Sequence, residues 1–220
     1  MILEWRFMVK VILKYLGHAS FKIKVNSKII YLDPYAGKYD EKADIILVTH
    51  SHRDHCDPMV IKSITRDNTI ILGPKSCLEL VKKIRILEVG EKIECEGVEV
   101  KAVHAYNVRR FRSPGNPYHP KGFGIGYLIG IYGKNLYHAG DTDLISEMEE
   151  LNEIQIAMLP IGGKYTMDVD EAVEAVAKIK PELAIPMHMR DRDPEEFKRK
   201  VEEETETKVI ILKPGEAVEI

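Results

Sequence analysis

The feature that most constrains this chain is a short polar segment at the end of a strongly apolar run. The segment Thr49-His50-Ser51-His52-Arg53-Asp54-His55 follows Asp44-Ile45-Ile46-Leu47-Val48. If the run is a buried strand, three histidines and one aspartate sit at its carboxyl edge, where a loop can turn several side chains toward one point. Imidazole and carboxylate are donors for zinc, manganese and iron, so the segment predicts a metal centre. The alternative is a histidine-rich polar loop without metal, but four donors would then be desolvated without a reason.

Composition limits the classes of protein to which the chain can belong. It has 220 residues, 45% of them hydrophobic, which suffices for one large core, and we expect a single domain over residues 1–220. The net charge of -3 and the alternation of acidic and basic residues argue against a general nucleic-acid surface. Charged residues interrupt the apolar stretch 1–16, which argues against a signal peptide or membrane span. Three cysteines without a Cys-x-x-Cys pair favour a reducing, cytoplasmic compartment.

Apolar periodicity and turn residues predict strands interspersed with helices. Strands are predicted at residues 8–16, 20–25, 28–32, 44–48, 69–72, 84–89, 92–95, 98–103, 122–131, 134–138, 154–160, 183–187, 209–212 and 217–220. Helices are predicted at residues 57–65, 75–83, 143–151, 168–178 and 194–204. The first of these begins at Asp57-Pro58, an N-cap followed by proline at the first helical position.

Three further donors follow predicted strands. His104 and His188 each end one, and Asp141 follows Gly140 after another. A histidine in such a position is, taken alone, more often a hydrogen-bonded structural residue than a ligand. An aspartate after glycine is equally typical of a turn. These positions alone therefore leave their roles open.

The spacing His-x-His-x-Asp-His resembles that of the metallo-β-lactamase superfamily. The order Gly-His-Ala-Ser, His-x-His-x-Asp-His, His-Ala-Gly-Asp-Thr, Pro-Ile-Gly-Gly and Pro-Met-His resembles its compact ascorbate-6-phosphate-lactonase-like branch of metal-dependent hydrolases. The resemblance extends over almost the whole chain. It implies an α/β (α+β) fold, a four-layer αββα sandwich of two mixed sheets flanked by helices.

The resemblance also implies a centre of two divalent metal ions. It places His50, His52 and His104 on metal one, Asp54, His55 and His188 on metal two, and Asp141 between the metals. Zinc is the favoured metal, with manganese and iron as alternatives. A bridging water would become hydroxide near neutral pH and attack an ester, lactone, amide or phosphodiester, with Asp54 as a candidate for taking its proton.

Other residues are candidates for supporting the centre. His18 lies in a predicted turn and is either a capping or solvent histidine or a wall of the active site. His138 is a candidate for orienting a ligand. Lys164 belongs to a glycine loop, Ile161-Gly162-Gly163-Lys164, that allows a close approach of backbone to ligand.

Residues 107–121 form a long segment rich in proline, glycine and cations. Because it leaves directly from His104, we expect a lid or substrate wall over the metals. Arg109, Arg110, Arg112 and Lys121 would then make the mouth of the site cationic, which suits a small anionic substrate. His119, in the same segment, is a candidate for supporting the centre or contacting the substrate. A solvated loop without a ligand is the alternative.

Several rival functions use the same kind of motif. A flavodiiron oxygen reductase is expected to replace a motif histidine by a carboxylate and to carry a flavin domain, and this sequence does neither. An RNA or nucleotide phosphodiesterase of the RNA-processing kind is expected to carry an inserted binding module. A non-catalytic metal-binding module would bind metal without turnover. We therefore expect a hydrolase of a small molecule, with no membrane partner, nucleic acid disfavoured and homo-oligomerisation left open.

Overall fold

The structure, a computed structural model, describes residues 9–95 and 97–220. The predicted strand at residues 8–16 therefore begins outside the described residues. No described helix has the length and apolar character needed to cross a membrane.

The first sheet has seven strands. They are β1 (Val11–Gly17), β2 (Ser20–Val25), β3 (Lys28–Leu32), β4 (Ile45–Leu47), β5 (Ile70–Gly73), β6 (Ile84–Ile86) and, from the end of the chain, β16 (Ala217–Glu219). Their spatial order is β16-β1-β2-β3-β4-β5-β6. The pairs from β16 to β3 are antiparallel, and those from β3 to β6 are parallel. The strand that carries the histidine motif, β4, thus lies inside the sheet with a parallel neighbour on each side.

The second sheet also has seven strands and mixed pairing. They are β7 (Lys92–Cys95), β8 (Val98–Ala105), β11 (Gly124–Ile131), β12 (Lys134–His138), β13 (Ile156–Pro160), β14 (Leu183–Met187) and β15 (Lys208–Val209), in the order β15-β14-β13-β12-β11-β8-β7. Between β8 and β11 the chain forms a separate hairpin of β9 (Phe111–Ser113) and β10 (Asn116–Pro117). The segment expected to be a loop therefore has strand structure of its own.

Successive side chains along β3 and β4 point to opposite faces of the first sheet, and each face packs against a different layer of the fold. Ile30 and Leu47 are buried in the core that contains the inner residues of both sheets. Their neighbours Ile46 and Tyr31 belong instead to a second cluster, with Ile61 of helix α1 (Pro58–Ile64). Both faces of this parallel part are covered, which explains its nearly continuous apolar sequence.

Helices α2 (Val169–Ile179) and α3 (Pro194–Glu204) complete the molecule. The apolar face of α2 and the buried Phe197 and Val201 of α3 belong to the main core. Among the described residues, two seven-stranded mixed sheets and three α-helices confirm the predicted mixed α/β fold.

Two helix predictions are wrong. Residues 75–83 form only a 3₁₀ turn at Lys75–Cys77, and Leu78 and Leu80 remain exposed, so this segment has no continuous apolar face to bury. In residues 143–151 only a 3₁₀ helix at Ser146–Glu150 forms. Its start is displaced because Asp143 binds the segment after β8 instead of beginning a helix.

The sheets are hydrogen-bonded to each other at one edge. The Tyr127 hydroxyl donates to Val48 O (2.8 Å), and Ile125 N donates to Thr49 O (2.9 Å). On the other side, His188 N donates to His18 O (2.8 Å). The segments fixed by these bonds are those that carry the histidine motif and the closing histidine.

Candidate metal centre

The motif after β4 folds into a tight turn. The amides of His55 and Cys56 both donate to His52 O, at 3.0 and 2.9 Å. This turn brings side chains at positions 50, 52, 54 and 55 to one side of the strand end. His50 and His55 are buried, whereas the Asp54 side chain is about half exposed. The polar donors therefore extend from the protein interior to its surface.

The first donor group consists of His50, His52 and His119. His52 Nδ1 lies 3.1 Å from His50 Nε2 and 3.2 Å from His119 Nε2. Burial lowers the pKa of all three imidazoles, that of His119 to about 4 and that of His50 well below its ordinary value. These rings are therefore neutral near pH 7, the form in which histidine binds metals.

The second donor group consists of His18, Asp54, His55 and His188, whose ligand atoms lie within 4.8 Å of one another. His18 Nε2 is 3.2 Å from Asp54 Oδ2, and the His18 and His188 rings have centroids 4.0 Å apart. Burial alone would raise the pKa of Asp54, but the His18 hydrogen bond and the His55 charge hold it well below its usual range. The group combines imidazoles with an ionised carboxylate.

Asp141 lies between the two groups. Its Oδ1 is 3.2 Å from His55 Nε2, and its Oδ2 is 3.3 Å from His188 Nε2 and 3.4 Å from His119 Nε2. Gly140 precedes it with φ 64, a conformation that glycine adopts without strain, and this turns the chain at the end of β12. Burial would raise the pKa of Asp141, but His188 and His55 outweigh it and keep the carboxylate ionised. One carboxylate thus contacts both donor groups.

Groups behind the rings fix which nitrogen faces the centre. Asp33 Oδ2 accepts from His55 Nδ1 (2.7 Å) and from Thr49 Oγ1 (2.7 Å), and Asp33 Oδ1 accepts from Thr49 N (2.7 Å). Since that hydroxyl donates to Asp33, it accepts from His50 Nδ1 at 3.0 Å. Asn107 Oδ1 accepts from His119 Nδ1 at 2.8 Å. These bonds from Nδ1 leave the Nε2 atoms of all three rings facing the centre. Burial lowers the pKa of His55, but Asp141 and Asp33 outweigh it and raise that pKa to about 9, so His55 must lose its Nε2 proton before this nitrogen can bind a metal.

The unpaired atoms of this cluster fit divalent cations. The buried atoms His55 Nε2 and Asp141 Oδ1 have no hydrogen-bond partner among the described residues. Buried polar atoms are rarely left in this state, because desolvation is costly. Nitrogen lone pairs and carboxylate oxygens that converge without hydrogen-bonding form the donor set that zinc accepts.

Backbone strain is concentrated at the same place. His18, Asp33 and His188 have positive φ angles of 57°, 43° and 47°. Residues other than glycine in this region cost about 1–3 kcal/mol each and cluster at functional sites. The fold thus tolerates strained backbone where the donors converge.

His104, predicted on metal one, is not part of either group. Its Nε2 lies 3.9 Å from Glu147 Oε1, and the ring lines a cavity of about 250 Å³ with Leu128 and Met148. His119 lies beside His50 and His52, where His104 was expected. The hairpin returns the chain to the end of β8, where Asn107 N donates to His119 O (2.8 Å). The structure thus brings His119, and not His104, together with His50 and His52, whereas the sequence indicated His119 only as a supporting or substrate residue.

Of the other predicted supporting residues, His138 lies in the interior and Lys164 lies at the surface. His138 is fully buried, lies 2.9 Å from Ala19 O through Nε2 and accepts from Gly140 N through Nδ1 (3.2 Å). It therefore connects the turn before Asp141 with the turn that carries His18. Lys164 stands at the surface with its ammonium 5.2 Å from the centroid of the Tyr165 ring.

The three arginines of residues 107–121 do not act together. Arg110 pairs with Asp143 (3.1 Å), Asp168 (3.3 Å) and Glu171, and Arg109 pairs with Glu171 (2.9 Å). Only Arg112 reaches the centre, with Nη2 3.4 Å from His52 Nε2. Lys121 pairs with Glu147 (2.8 Å). Of the four cations predicted to make the mouth of the site cationic, Arg112 alone is therefore not neutralised by a carboxylate of the described residues.

Two positioning residues, Asp33 and Asn107, were missed by sequence reasoning. The available signal for Asp33 was an acidic residue directly after β3, the strand paired with the motif strand. Asn107 gave no signal that separates it from other loop amides. Its role depends on the return of the hairpin, which the sequence did not predict.

Comparisons with known proteins agree with this geometry. The family model described as a beta-lactamase superfamily domain matches residues 12–188. A UPF0173 metal-dependent hydrolase of Thermococcus onnurineus is 38% identical over 234 residues, with 97% of this chain and 100% of that protein covered. A solved structure from Parabacteroides distasonis is 32% identical with a TM-score of 0.86, covering 92% of this chain and 93% of that chain. Igni18, a metallo hydrolase of Ignicoccus hospitalis, is 30% identical with a TM-score of 0.79, covering 96% of this chain and 98% of that chain.

The match extends over most of the chain and includes the segments that deliver the first histidine motif, the aspartate after β12 and the closing histidine. Relatives above 30% identity cover nearly the full length. This chain therefore belongs to the family of beta-lactamase superfamily domains.

Proposed function

We propose that this metal-dependent hydrolase uses two divalent metal ions to cleave a small anionic ester, lactone or phosphodiester. The observation that carries the proposal is the position of Asp141, whose carboxylate contacts ring nitrogens of both donor groups. A carboxylate between two sets of neutral or partly neutral donors favours two nearby cations over one.

The donor groups divide the ligands. His50, His52 and His119 would hold metal one, Asp54, His55 and His188 would hold metal two, and Asp141 would be shared. His18 adjoins Asp54 and is an additional candidate on the side of metal two. Nitrogen-rich sites with few carboxylates favour zinc, and manganese and iron are the alternatives.

When bound, two such metals supply Lewis acidity and lower the pKa of a water from about 15.7 toward neutrality. The chain's own residues then orient and transfer protons. Asp54 is the half-exposed carboxylate of the cluster, and its Oδ2 lies 3.2 Å from His18 Nε2. We assign to Asp54 the acceptance of a proton at that oxygen, with His18 holding the carboxylate in place.

Arg112 supports an anionic substrate. Its guanidinium extends from the hairpin to His52, and no carboxylate of the described residues pairs with it. A guanidinium fork can bind carboxylate or phosphate through two parallel hydrogen bonds. This single arginine takes the role expected earlier for four cations.

A matched pair of histidine variants tests the metal assignment. His119→Ala should lose one metal, because it removes one of three imidazoles from the first group, whereas His104→Ala should retain both. Native mass spectrometry and elemental analysis give the stoichiometry, and a screen of lactones, esters and phosphodiesters gives the activity. Two metals without turnover on any of these compounds would favour a non-catalytic metal-binding module. Loss of metal from His104→Ala alone would refute the assignment.

A further inference from the structure

Cations and tyrosines form a continuous row beside the metal centre. The Arg112 guanidinium carbon lies 5.3 Å from the centroid of the Tyr118 ring, and the Tyr118 and Tyr165 rings meet edge to face at 4.7 Å. The Tyr165 ring is in turn flanked by Lys164 Nζ at 5.2 Å and by the Arg190 guanidinium carbon at 5.1 Å. We refer to these five residues as the cation–tyrosine row.

The row is joined to the proposed ligands at several points. Arg112 contacts His52, Tyr118 directly precedes His119, and Arg190 follows His188 by two residues. The loop that carries Lys164 packs on the last of these segments, since a Cβ on Gly162 would lie 2.5 Å from His188 O. Tyr165 O also accepts from Asn107 Nδ2 (2.9 Å), the side chain that orients His119. The row is thus held in a fixed relation to the centre.

The charges of the row are available to a solute. Within residues 9–95 and 97–220, no carboxylate lies within 4.0 Å of the charged groups of Arg112, Lys164 or Arg190, and all three side chains are exposed. Two aspartates are near in sequence: Asp191 is exposed, and Asp193 accepts from Glu195 N at the start of α3. The three cations of the row thus differ from Arg109 and Arg110, whose charges are neutralised by acidic partners.

Arg190 also has an unusual backbone. Its φ of 56° lies in the left-handed region, which side chains other than glycine, asparagine and aspartate rarely adopt. This conformation occurs directly after the strained His188 and places the guanidinium over Tyr165. Stacking on an aromatic ring limits the freedom of the cation, so less entropy is lost when it binds an anion.

We propose that the row forms a second anion subsite, so that the substrate carries two oxyanionic groups. One group lies at the metals and Arg112, and the other, remote from the bond that is cut, is held by Lys164 and Arg190. This inference rests on the proposed function, because it names the substrate class of the same site. Lys164 Nζ and the Arg190 guanidinium carbon lie 5.2 and 5.1 Å from the centroid of the same Tyr165 ring, and each cation can pair with an oxygen of a phosphate or carboxylate.

Chain-length series of phosphonates test the subsite by binding. The probes are linear alkane bisphosphonates from propane to octane and alkylphosphonates of the same lengths, titrated calorimetrically into the zinc-loaded full chain. We expect one length of bisphosphonate to bind at least tenfold tighter than its matched monophosphonate, since the linker must span the distance between the two subsites. Zinc content is measured after each titration to exclude loss of metal to the probe.

Paired variants locate the effect. The double variant Lys164→Ala with Arg190→Ala should lose the tenfold gain while its affinity for monophosphonate stays within twofold of the parent. A control with the same change in charge is Lys62→Ala with Arg85→Ala, two exposed cations outside the contacts of the centre, and it should keep the gain. Arg112→Ala should weaken both classes of probe.

The outcomes separate this inference from the proposed function. Equal affinity for mono- and bisphosphonates at every length, or a gain that persists in the Lys164 and Arg190 double variant, would overturn the second subsite. Monophosphonate binding that requires zinc would still support the metal centre in that case. Monophosphonate binding that is the same with and without zinc would instead overturn the metal centre as the place where the substrate binds.

Discussion

Asp33 supports the centre from behind although it contacts no proposed metal position. Its two oxygens accept from Thr49 N, Thr49 Oγ1 and His55 Nδ1, all at 2.7 Å. The Asp33→Asn variant keeps the shape of the side chain, but its amide nitrogen cannot accept these bonds. We expect the affinity for metal two to fall by about 10–100-fold, the usual effect of losing such a partner. Competition with a chelator of known affinity measures it.

Asp44→Asn is the control for that variant. The Asp44 carboxylate also accepts a backbone amide, Ile29 N at 2.8 Å, and it pairs with Arg66 instead of with a histidine of the cluster. The Asp44→Asn variant should therefore bind metal with the affinity of the parent. An Asp33→Asn protein that binds metal as tightly as the parent would show that the His55 ring is positioned by other contacts.

Asp141→Ala should abolish turnover far more than it destabilises the fold. Its carboxylate contacts histidines of both donor groups, so its removal takes an oxygen donor from each of the two proposed metal sites. We expect at least one metal to be lost and the free energy of unfolding of the metal-free chain to change little. Native mass spectrometry and urea denaturation measure the two quantities. Full occupancy by both metals with near-normal turnover would identify a different bridging residue.

The sequence anticipated which donors lie together where they are local in the chain, but not where the chain returns from a distance. The roles proposed for His50, His52 and His55 came from six consecutive residues, and the structure brings these side chains together. His104 and His119 differ by fifteen positions, and both adjoin the end of β8, one along the strand and the other across the hairpin. Sequence spacing favours the first, but only the folded hairpin shows that the second faces the centre.

At the scale of elements, the hairpin depends on a single buried carboxylate. Asp143 accepts from the amides of Val108 (2.8 Å), Arg109 (2.6 Å) and Arg110 (3.2 Å) and from the side chains of Asn107 and Arg110. Asp143→Ala should increase hydrogen exchange throughout residues 107–119, because three backbone amides and the Arg110 charge lose their partner. Mass spectrometry of exchanged peptides measures the increase.

Asp170, on helix α2, provides the control for Asp143→Ala. Its carboxylate is exposed and pairs with Lys200, so Asp170→Ala should leave the exchange of the hairpin unchanged. Exchange in residues 107–119 that is the same in Asp143→Ala as in the parent would mean that the two strands hold this segment without the carboxylate.

The pairing of Glu171 with Arg110 makes part of the stability dependent on pH. Burial alone would raise the pKa of Glu171, but Arg110 outweighs it and lowers the pKa below the ordinary 4.5. A carboxyl whose pKa is depressed by folding stabilises the fold above its unfolded pKa, and this stabilisation is lost as pH falls through the folded pKa. Glu171→Gln keeps an acceptor for Asp168 N at the start of α2. It should therefore be less stable than the parent at pH 7, by a difference that shrinks below about pH 4.5.

Urea denaturation at pH 7 and at pH 4 or below measures this difference. Glu174→Gln is a suitable control, because Glu174 lies on the exposed face of the same helix and its Oε1 is 3.8 Å from Lys178 Nζ. It should change the free energy of unfolding little at either pH. A Glu171→Gln difference that is constant over this range would contradict the assignment to ionisation.

Elements were predictable where apolar pattern and turn chemistry agreed. The strands at Ser20–Val25, Lys28–Leu32 and Lys134–His138 have the predicted bounds, as does the helix Pro194–Glu204. The two overpredicted helices failed for different reasons: residues 75–83 leave Leu78 and Leu80 exposed, and in residues 143–151 Asp143 binds the segment after β8. Tertiary contacts decide such short segments.

On the scale of the whole molecule, the donors come from loops of both sheets. His18 and His50 follow strands of the first sheet, and Asp141 and His188 follow strands of the second. Two metals at about 100 times their dissociation constants would add roughly 5 kcal/mol to the free energy of unfolding. For a chain of this size, that corresponds to about 10–20 °C in Tm. Chelation should therefore lower Tm by that amount, and added zinc should restore it.

Calorimetric scans of the chelated and zinc-restored chain check the shift. His104→Ala should show the same shift as the parent, and Asp141→Ala should show a much smaller one. A Tm that does not respond to chelation would mean that metals do not connect the two sheets.

The separation of the donors along the chain also determines when the centre can form during synthesis. Donors of both groups appear with residues 50–55, but Asp141 and His188 are added much later, and His188 binds the backbone of His18. When the growing chain has left the ribosome up to the end of the hairpin segment, at residue 119, all three histidines of the first group are present. The second group is then still incomplete. Metal captured at that stage would meet an incomplete set of ligands, and the ion that finally resides in the centre is selected only after the strand before His188 has joined the second sheet.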